Sequence, residues 1–163
     1  MSDTNTLYDD DLLAWSQQQA EALRAAAHSG SNQLLDWENL AEEIESLGIS
    51  QRSALRSQIR RIIRHLLKLE YSRSNDPRRG WEESIVDARV EIEDLLETSP
   101  SLRVHIDPDI TTETKRAARL AVGDLRRHGE IEGVDLTRVH SASYTSDQVL
   151  GDWVPANRDQ PQG

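Results

Sequence analysis

The stretch from Asp36 to Tyr71 constrains the fold of this chain more than any other part of it. Its Leu, Ile and Ala residues recur every three or four positions, the spacing that places side chains on one face of an α-helix. Gly48 lies in the middle, where a glycine commonly ends a helix, and Ser50 is a residue type that caps the start of another. The sequence therefore predicts two helices that meet at Gly48 and run antiparallel as a hairpin.

The two arms of this predicted hairpin differ in charge. The first arm is acidic, whereas the second carries six Arg and Lys residues from Arg52 to Lys68 and a single acid, Glu70. The helix predicted next, from about Trp81 to Glu97, is acidic again, with Arg89 as its one base. Exposed ion pairs contribute only about 0.2–1 kcal/mol each. Complementary charge should therefore decide which helices lie side by side more than how stable they are.

Further helices are predicted on both sides of this region. Apolar residues at helical spacing cover Asp9–His28, and Pro108 opens a helix that ends near His128. The segment DQVLGDW forms a short C-terminal helix, capped by Thr145 or Ser146. The alternating β-branched runs that a sheet requires are missing, so every predicted element is helical.

The predicted fold class is all-α: a single-domain antiparallel helical bundle of four main helices plus a short C-terminal helix. The domain is expected to cover residues 1–154, since 163 residues suit one domain, and a polar tail over 155–163 is expected to be disordered. The chain lacks Phe, so its core must be built from Leu, Ile, Val, Ala and Trp. Four tryptophans are predicted to anchor that core: Trp15, Trp37, Trp81 and Trp153.

Composition argues against several functional classes. The net charge of −10 disfavours a general nucleic-acid-binding protein, because phosphates repel an acidic surface. The chain has no Cys, which removes disulfides, thiolate nucleophiles and Cys-based zinc sites. The segment MSDTNTLYDDD is polar and acidic, unlike a secretory signal, and no apolar run reaches the roughly 20 residues of a membrane span. We therefore expect a cytoplasmic protein that has no membrane as its partner.

Five segments of the chain are distinctive: LYDDDLLAWSQQQAEALR, ENLAEEIESLG, HLLKLEY, Trp81 with ARVEIEDLLETSPSL, and YTSDQVLGDWVP. Together they resemble a bacterial family of helical proteins known as domain of unknown function 29. The resemblance spans Leu7 to about Pro155, and its most specific parts are ENLAEEIESLG and the SPSL turn. It implies an all-helical single domain and brings no known activity, cofactor or catalytic residue. The chain departs from the family at Glu70, near which a Trp is common.

The candidate functional face of the predicted hairpin and the helix after it consists of Glu42, Glu43, Arg61, His65 and Arg89. Its most reactive part is the edge where Glu43 would meet His65, since a carboxylate beside a histidine suits acid–base or metal-assisted chemistry. However, no His has the Glu-x-x-His spacing of di-metal bundles, and HExxH, GxSxG and phosphate-cradling Gly motifs are missing. We therefore expect no catalytic residue, no metal ligand and no cofactor.

The sequence favours a non-catalytic protein-interaction or assembly module over an enzyme. Val86 and Val90 point away from the apolar stripe of their helix, so they suit contact with a protein partner or with a second copy in a homodimer. One alternative is an acid–base or metal-assisted enzyme at the Glu43 and His65 edge. Another is weak nucleic-acid contact through the Arg52–Lys68 helix. Acidic helices compete for those cations, so nucleic acid is not the expected partner.

Overall fold

A computed structural model describes residues 4–30 and 34–156, and within them every regular element is helical. The all-α class is therefore confirmed, and four of the helices are long. Most of the predicted tail over 155–163 lies outside the described residues. The elements in chain order are α1 (Thr4–Asp10), α2 (Leu12–His28), α3 (Trp37–Tyr71), α4 (Arg78–Thr98), a 3₁₀ segment (Pro100–His105), α5 (Ile106–Arg127), α6 (Leu136–His140) and α7 (Ser146–Leu150).

Helix α3 shows that the predicted hairpin is wrong. It is one continuous helix of 35 residues, so Ser50 caps nothing and the acidic arm does not fold back onto the basic arm. Gly48 is not among the described glycines with positive φ, which are Gly30, Gly129 and Gly133. The left-handed conformation that ends many helices is therefore absent at Gly48.

The structure gives a different reason for a glycine at position 48. A Cβ atom there would stand 2.5 Å from Oγ of Ser16 and 2.7 Å from Cδ1 of Leu13, both on α2. Glycine in a helix costs about 1 kcal/mol relative to alanine. This cost is offset by the close approach of α2 to α3, which a larger side chain would prevent.

The predicted helix over Asp9–His28 is in fact two helices, α1 and α2, which divide at Asp11. The Asp11 side chain accepts a hydrogen bond from Ala14 N at 2.9 Å and so caps α2. The same carboxylate accepts from the main-chain N of Ser101 at 2.6 Å and from its Oγ at 2.9 Å. Asp side chains compete with helix hydrogen bonds in this way, which is why the helix begins again here.

The described chain divides into two compact units. The first contains the residues up to Leu55 together with Glu93–Val104, and the second contains Arg56–Ile92 and the residues from His105 onward. In the first unit, Leu13 and Ala41 are buried, and the main-chain N of Leu13 donates to Oγ of the buried Ser99 at 3.3 Å. A single domain over 1–154 stays a prediction, as does the antiparallel bundle arrangement.

The core of the second unit comes from α3, α4 and α5. Burying each large aliphatic side chain stabilises this unit by about 1.5–3 kcal/mol. The segment 130–143, which follows α5, contains α6, and its Val139 is fully buried. The buried aliphatic residues of the three long helices include Ile59, Ile62, Ile63, Leu66, Leu67, Ile85, Ile92, Ile110 and Leu125.

The predicted tryptophan anchors are only partly covered. Trp15, Trp37 and Trp81 are half-buried, and Trp153 is 39% exposed. The Trp15 ring meets the Tyr8 ring edge-on, with centroids 4.8 Å apart. Their role as core anchors stays a prediction. Across residues 4–30 and 34–156, no helix combines the length and the apolar character that crossing a membrane requires.

Candidate functional site

Helices α3 and α5 meet through two matched rows of charge. On α3, Arg56, Arg60, Arg64 and Lys68 follow one another at four-residue intervals, so they share one face. On α5, Asp109, Glu113 and Asp124 are buried at positions that also share a face. These four cations of α3 therefore pair with carboxylates of α5. We call these seven residues the Arg–carboxylate ladder.

Glu113 is the most enclosed carboxylate of the ladder, with a fully buried side chain. Its oxygens accept hydrogen bonds from Nε of Arg56 at 3.0 Å, from Nη1 of Arg60 at 2.8 Å and from Nη1 of Arg116 at 2.8 Å. A buried, unpaired carboxylate would be costly, but three guanidinium groups compensate this one. The carboxylate of Glu113 therefore has a structural role, because it links α5 to α3.

Asp124 forms the other end of the ladder. Its two oxygens accept from Nε and Nη2 of Arg64, each at 2.7 Å, and Nη2 of Arg127 lies 2.5 Å away. Burial alone would raise the pKa of Asp124, but the hydrogen bond and charge of Arg64, followed by Lys68 and Arg127, hold that pKa below its ordinary value. Asp124 therefore stays ionised. Nζ of Lys68 also lies 4.4 Å from the centroid of the Trp81 ring.

Two predicted site residues, Arg61 and His65, line a cavity of about 350 Å³ beside the ladder. Nε of Arg61 donates to Oγ of Ser84 at 3.0 Å. Nδ1 of His65 is buried and makes no hydrogen bond to the described residues. We call this space the His65 cavity, and its walls are Ser57, Arg60, Arg61, Arg64, His65 and Leu120.

The charge around His65 is strongly positive. Burial, then the cations Lys68, Arg64 and Arg61, lower the pKa of His65 to about 4, while Asp124 acts weakly in the opposite direction. The imidazole is therefore neutral at physiological pH. Sequence reasoning identified this histidine and the row of cations on its helix, but not that burial and those cations would keep the imidazole uncharged.

The remaining predicted site residues lie elsewhere. Glu42 and Glu43 are exposed on the part of α3 that belongs to the first unit. Their approach to His65 required the hairpin, and α3 is not folded back. Arg89 is buried in the second unit, where it binds main-chain carbonyl groups.

Arg89 holds the C-terminal part of the described chain. Its Nε donates to the carbonyl of Val149 at 3.0 Å, and its Nη2 donates to those of Gln148 at 3.1 Å and Trp153 at 2.7 Å. Burial lowers the pKa of Arg89, and the nearby charge of Asp152 raises it. A guanidinium remains protonated in any case. The arrangement positions α7 and the residues after it.

Two further cavities, which the sequence did not predict, lie near the C-terminal end of α3. They measure about 340 and 540 Å³ and share Glu70, Tyr71 and Arg138 as walls. The hydroxyl of Tyr144 is buried at the larger cavity and has no hydrogen-bond partner among the described residues. Burial, then the charge of Glu70, raises the pKa of that hydroxyl. These cavities arise where the end of α3 meets the segment around α6, and no spacing in the sequence signals that contact.

Glu130, just after α5, fastens the segment that follows α3. Its carboxylate accepts from Oγ of Ser74 at 2.8 Å, from the main-chain N of Arg73 at 3.0 Å, and from the hydroxyl of Ser72. Burial would raise the pKa of Glu130, but these hydrogen bonds lower it below its ordinary value. The ionised carboxylate of Glu130 therefore holds the segment after α3 against the residue that follows α5.

Within the described residues, no group of three or more His, Asp or Glu side chains is arranged to hold a metal ion.

The fold and these contacts define a class: an all-α protein in which buried carboxylates and partly buried cations join helices. The chain belongs to the family described as domain of unknown function DUF29, which matches residues 7–153. The resemblance noted in the sequence is therefore confirmed.

A solved structure supports the same assignment. It is the 1.45 Å crystal structure of an alpha-helical protein of unknown function from Rhodospirillum rubrum ATCC 11170. The two proteins are 26% identical, with a TM-score of 0.66, and the match covers 91% of this chain and 98% of that one. Comparison with curated proteins found no match.

Proposed function

We propose that this protein is a non-catalytic protein-interaction or assembly module whose contact surface lies on α4. The observation that carries the proposal is a pair of valines, Val86 and Val90, which are 56% and 50% exposed. They lie one helical turn apart on the same side of α4. Glu82, Glu83 and Asp87 are exposed around them. We call these five residues the acidic α4 face.

The chemistry of this face indicates the kind of partner. Single exposed valines are normal on a protein surface, but a pair within a group of carboxylates offers both apolar contact and charge. Among the residues that the structure describes, Glu83 is the one carboxylate of this face with an ion pair, to the exposed Arg79 at 2.9 Å, and such pairs contribute little. A cationic amphipathic helix would complement this surface. The partner is therefore proposed to be basic, either another protein or a second copy that presents a basic surface.

The two alternative functions have less support. The acid–base or metal-assisted enzyme depended on Glu43 reaching His65, and the hairpin that would bring them together does not form. Nucleic-acid contact depended on the cations of α3, several of which pair with buried carboxylates of α5. A cytoplasmic location also stays a proposal, supported by the charged fraction of 29% and the net charge of −10.

Site-specific photo-crosslinking in living cells tests the proposal. A benzophenone amino acid replaces Val86 in one variant and Val104 in a matched control, since Val104 is a valine 74% exposed and outside the acidic α4 face. We expect a discrete crosslinked product from position 86 and none from position 104. Asp87→Lys in the first variant should abolish that product, because it reverses one charge of the face.

Two outcomes would contradict the proposal. One is equal crosslinking from both positions, which would indicate random collisions. The other is a product from position 86 that Asp87→Lys does not change. Circular dichroism of each variant checks that the fold is intact, and we expect no change because all three positions are exposed.

A further inference from the structure

The His65 cavity contains hydrogen-bond donors in excess of acceptors. Arg60, Arg61 and Arg64 line it, and no carboxylate does. Each guanidinium has five N–H donors in a planar fork. The contacts made by these groups use only part of that number, because Arg60 donates through Nη1 and Arg64 through Nε and Nη2. Donors therefore remain on each of the three arginines.

Arg61 differs from the other two arginines of this cavity in the charge of its partner. Its Nε donates to Oγ of Ser84, a neutral partner, and no ion pair of Arg61 occurs within residues 4–30 and 34–156. Arg60 and Arg64 differ, since Glu113 and Asp124 partly neutralise them. Arg61 thus carries the uncompensated charge of the site.

His65 adds a neutral donor to this set. Its Nδ1 is buried and has no hydrogen-bond partner among the described residues. A buried N–H without an acceptor is rarer in proteins than a buried acceptor without a donor. The proton of the neutral ring is therefore assigned to Nε2, which becomes a donor on the less buried side of the imidazole.

We propose that the His65 cavity binds the phosphate group of a small phosphate monoester through Arg60, Arg61 and Arg64. Tetrahedral oxyanions accept several hydrogen bonds at once, and arginine forks match their geometry. Nε2 of His65 and the hydroxyl of Ser57 complete the set of donors. Leu120, which is 41% exposed, provides an apolar wall for the rest of the ligand.

The shape of the site favours a small ligand over a nucleic-acid strand. A volume of about 350 Å³ is near the lower end of the range of ligand pockets. A nucleic-acid backbone needs a long row of available cations, whereas the row on α3 is interrupted by its pairs with Glu113 and Asp124. Among the three arginines that line the cavity, Arg61 is the one without an ion pair in the described part of the chain.

The electrostatics of His65 agree with this geometry. The cations Lys68, Arg64 and Arg61 disfavour a proton on the ring, and Asp124 opposes them only weakly. A bound dianion would oppose them strongly and would favour the proton. Because linkage is reciprocal, ligand binding should raise the pKa of His65.

The experiment is an NMR titration of the ¹⁵N-labelled full chain with inorganic phosphate and then with glycerol 3-phosphate, at constant ionic strength. We expect saturable shifts of the His65 ring nitrogens and a rise of about one unit in the pKa of His65. Acetate serves as the carboxylate arm and should give no saturable shift. A single-stranded oligonucleotide is the nucleic-acid arm and should bind more weakly than glycerol 3-phosphate.

Matched variants test whether phosphate binds in the His65 cavity. Arg61→Gln should weaken phosphate binding about tenfold, because it removes the uncompensated guanidinium. Arg79→Gln removes the same charge from an exposed position outside the cavity and should leave binding unchanged. Arg61→Lys should restore part of the affinity, since it returns the charge without the fork.

The proposal is overturned if phosphate produces no saturable shift, or if Arg79→Gln weakens binding as much as Arg61→Gln. It is also overturned if the oligonucleotide binds and both phosphates do not. Ser57→Val provides a second variant that leaves the ladder intact, and its thermal unfolding checks the fold. An unchanged affinity in both Arg61→Gln and Ser57→Val would place the ligand elsewhere.

Discussion

Arg64 and Asp124 form a parallel, two-point contact, with Nε 2.7 Å from Oδ2 and Nη2 2.7 Å from Oδ1. This geometry is the strongest arrangement available to an arginine and a carboxylate, because both hydrogen bonds carry charge and neither group can rotate freely. It sets the position of α3 along α5 within the second unit. The Arg–carboxylate ladder therefore fixes the register of α3 against α5, in addition to pairing their charges.

Replacing Asp124 by Asn should strongly destabilise the protein. The change leaves the partly buried Arg64 and Lys68, as well as the more exposed Arg127, without the negative charge that they share. We expect the free energy of unfolding to fall by about 2–4 kcal/mol, measured by urea denaturation. Asp87→Asn is the matched control at an exposed position and should change it by less than about 0.5 kcal/mol. Equal effects of the two substitutions would show that the ladder contributes nothing.

Replacing Gly48 by Ala should destabilise the protein, although alanine is the better helix former. The new Cβ would clash with Ser16 and Leu13, and we expect a loss of about 1–3 kcal/mol in thermal unfolding. Gly123→Ala is the control, because a Cβ at Gly123 meets nothing within 4 Å. That variant should be stabilised by up to about 1 kcal/mol.

A double variant separates the clash from other effects of Gly48→Ala. Ser16→Ala removes the nearest atom, Oγ, which also donates to the carbonyl of Leu13 at 2.9 Å. Part of the loss should be recovered when both changes are combined, because coupled neighbours are not additive. Strict additivity of the two losses would argue against close contact between α2 and α3.

The stability of the protein should fall as the pH is lowered from 7 to 5, in part because of His65. The pKa of this histidine is about 4 in the folded state and 6.5 in the unfolded chain, so the unfolded state binds more protons between those values. Unfolding is therefore favoured as pH falls through this window. His65→Gln should flatten the dependence of the melting temperature on pH, and His140→Gln, at an exposed position, should not.

Replacing Arg89 by Met should release the C-terminal part of the described chain. Methionine keeps much of the apolar contact but leaves the carbonyls of Gln148, Val149 and Trp153 without their donor. We expect a loss of about 1–3 kcal/mol and faster amide exchange around α7 than elsewhere. Arg103→Met, at an exposed position, is the control. Uniform exchange across the second unit would contradict a local role for Arg89.

Local sequence patterns were sufficient to predict the helical class and several helix ends. The glycines that follow α2 and α5, Gly30 and Gly129, have φ of +73° and +71°, the left-handed conformation in which many helices end. Thr145, one of the two residues predicted to cap the C-terminal helix, caps α7 and forms a full capping box with Gln148. Each of these features depends only on residues within one or two helical turns.

Gly48 shows why the same reasoning failed at the middle of α3. A glycine has two uses, a left-handed turn or a close approach to another backbone, and nearby residues do not distinguish them. The deciding contacts come from Ser16 and Leu13, more than 30 positions earlier in the chain. Only the tertiary fold reveals them.

The charge partners were missed for a related reason. Helix α5 contains more cations than acids overall, so it does not read as an acidic helix. Its three relevant carboxylates, Asp109, Glu113 and Asp124, are the ones that point inward. Net charge per helix was therefore a poor guide, whereas charge per face would have identified α5 as the partner of the cationic part of α3.

The contacts of Arg89 imply that the helices of the second unit separate in a particular order as the pH is lowered. Asp124 and Glu130 have lowered pKa values, so their contribution is present at neutral pH and is lost as the pH falls through those values. Carbonyl oxygens do not titrate in this range, and the guanidinium keeps its proton. The three hydrogen bonds that Arg89 donates to these carbonyls therefore have no acid-sensitive acceptor. A partly acid-denatured state should keep these two helices together after α3 and α5 have separated.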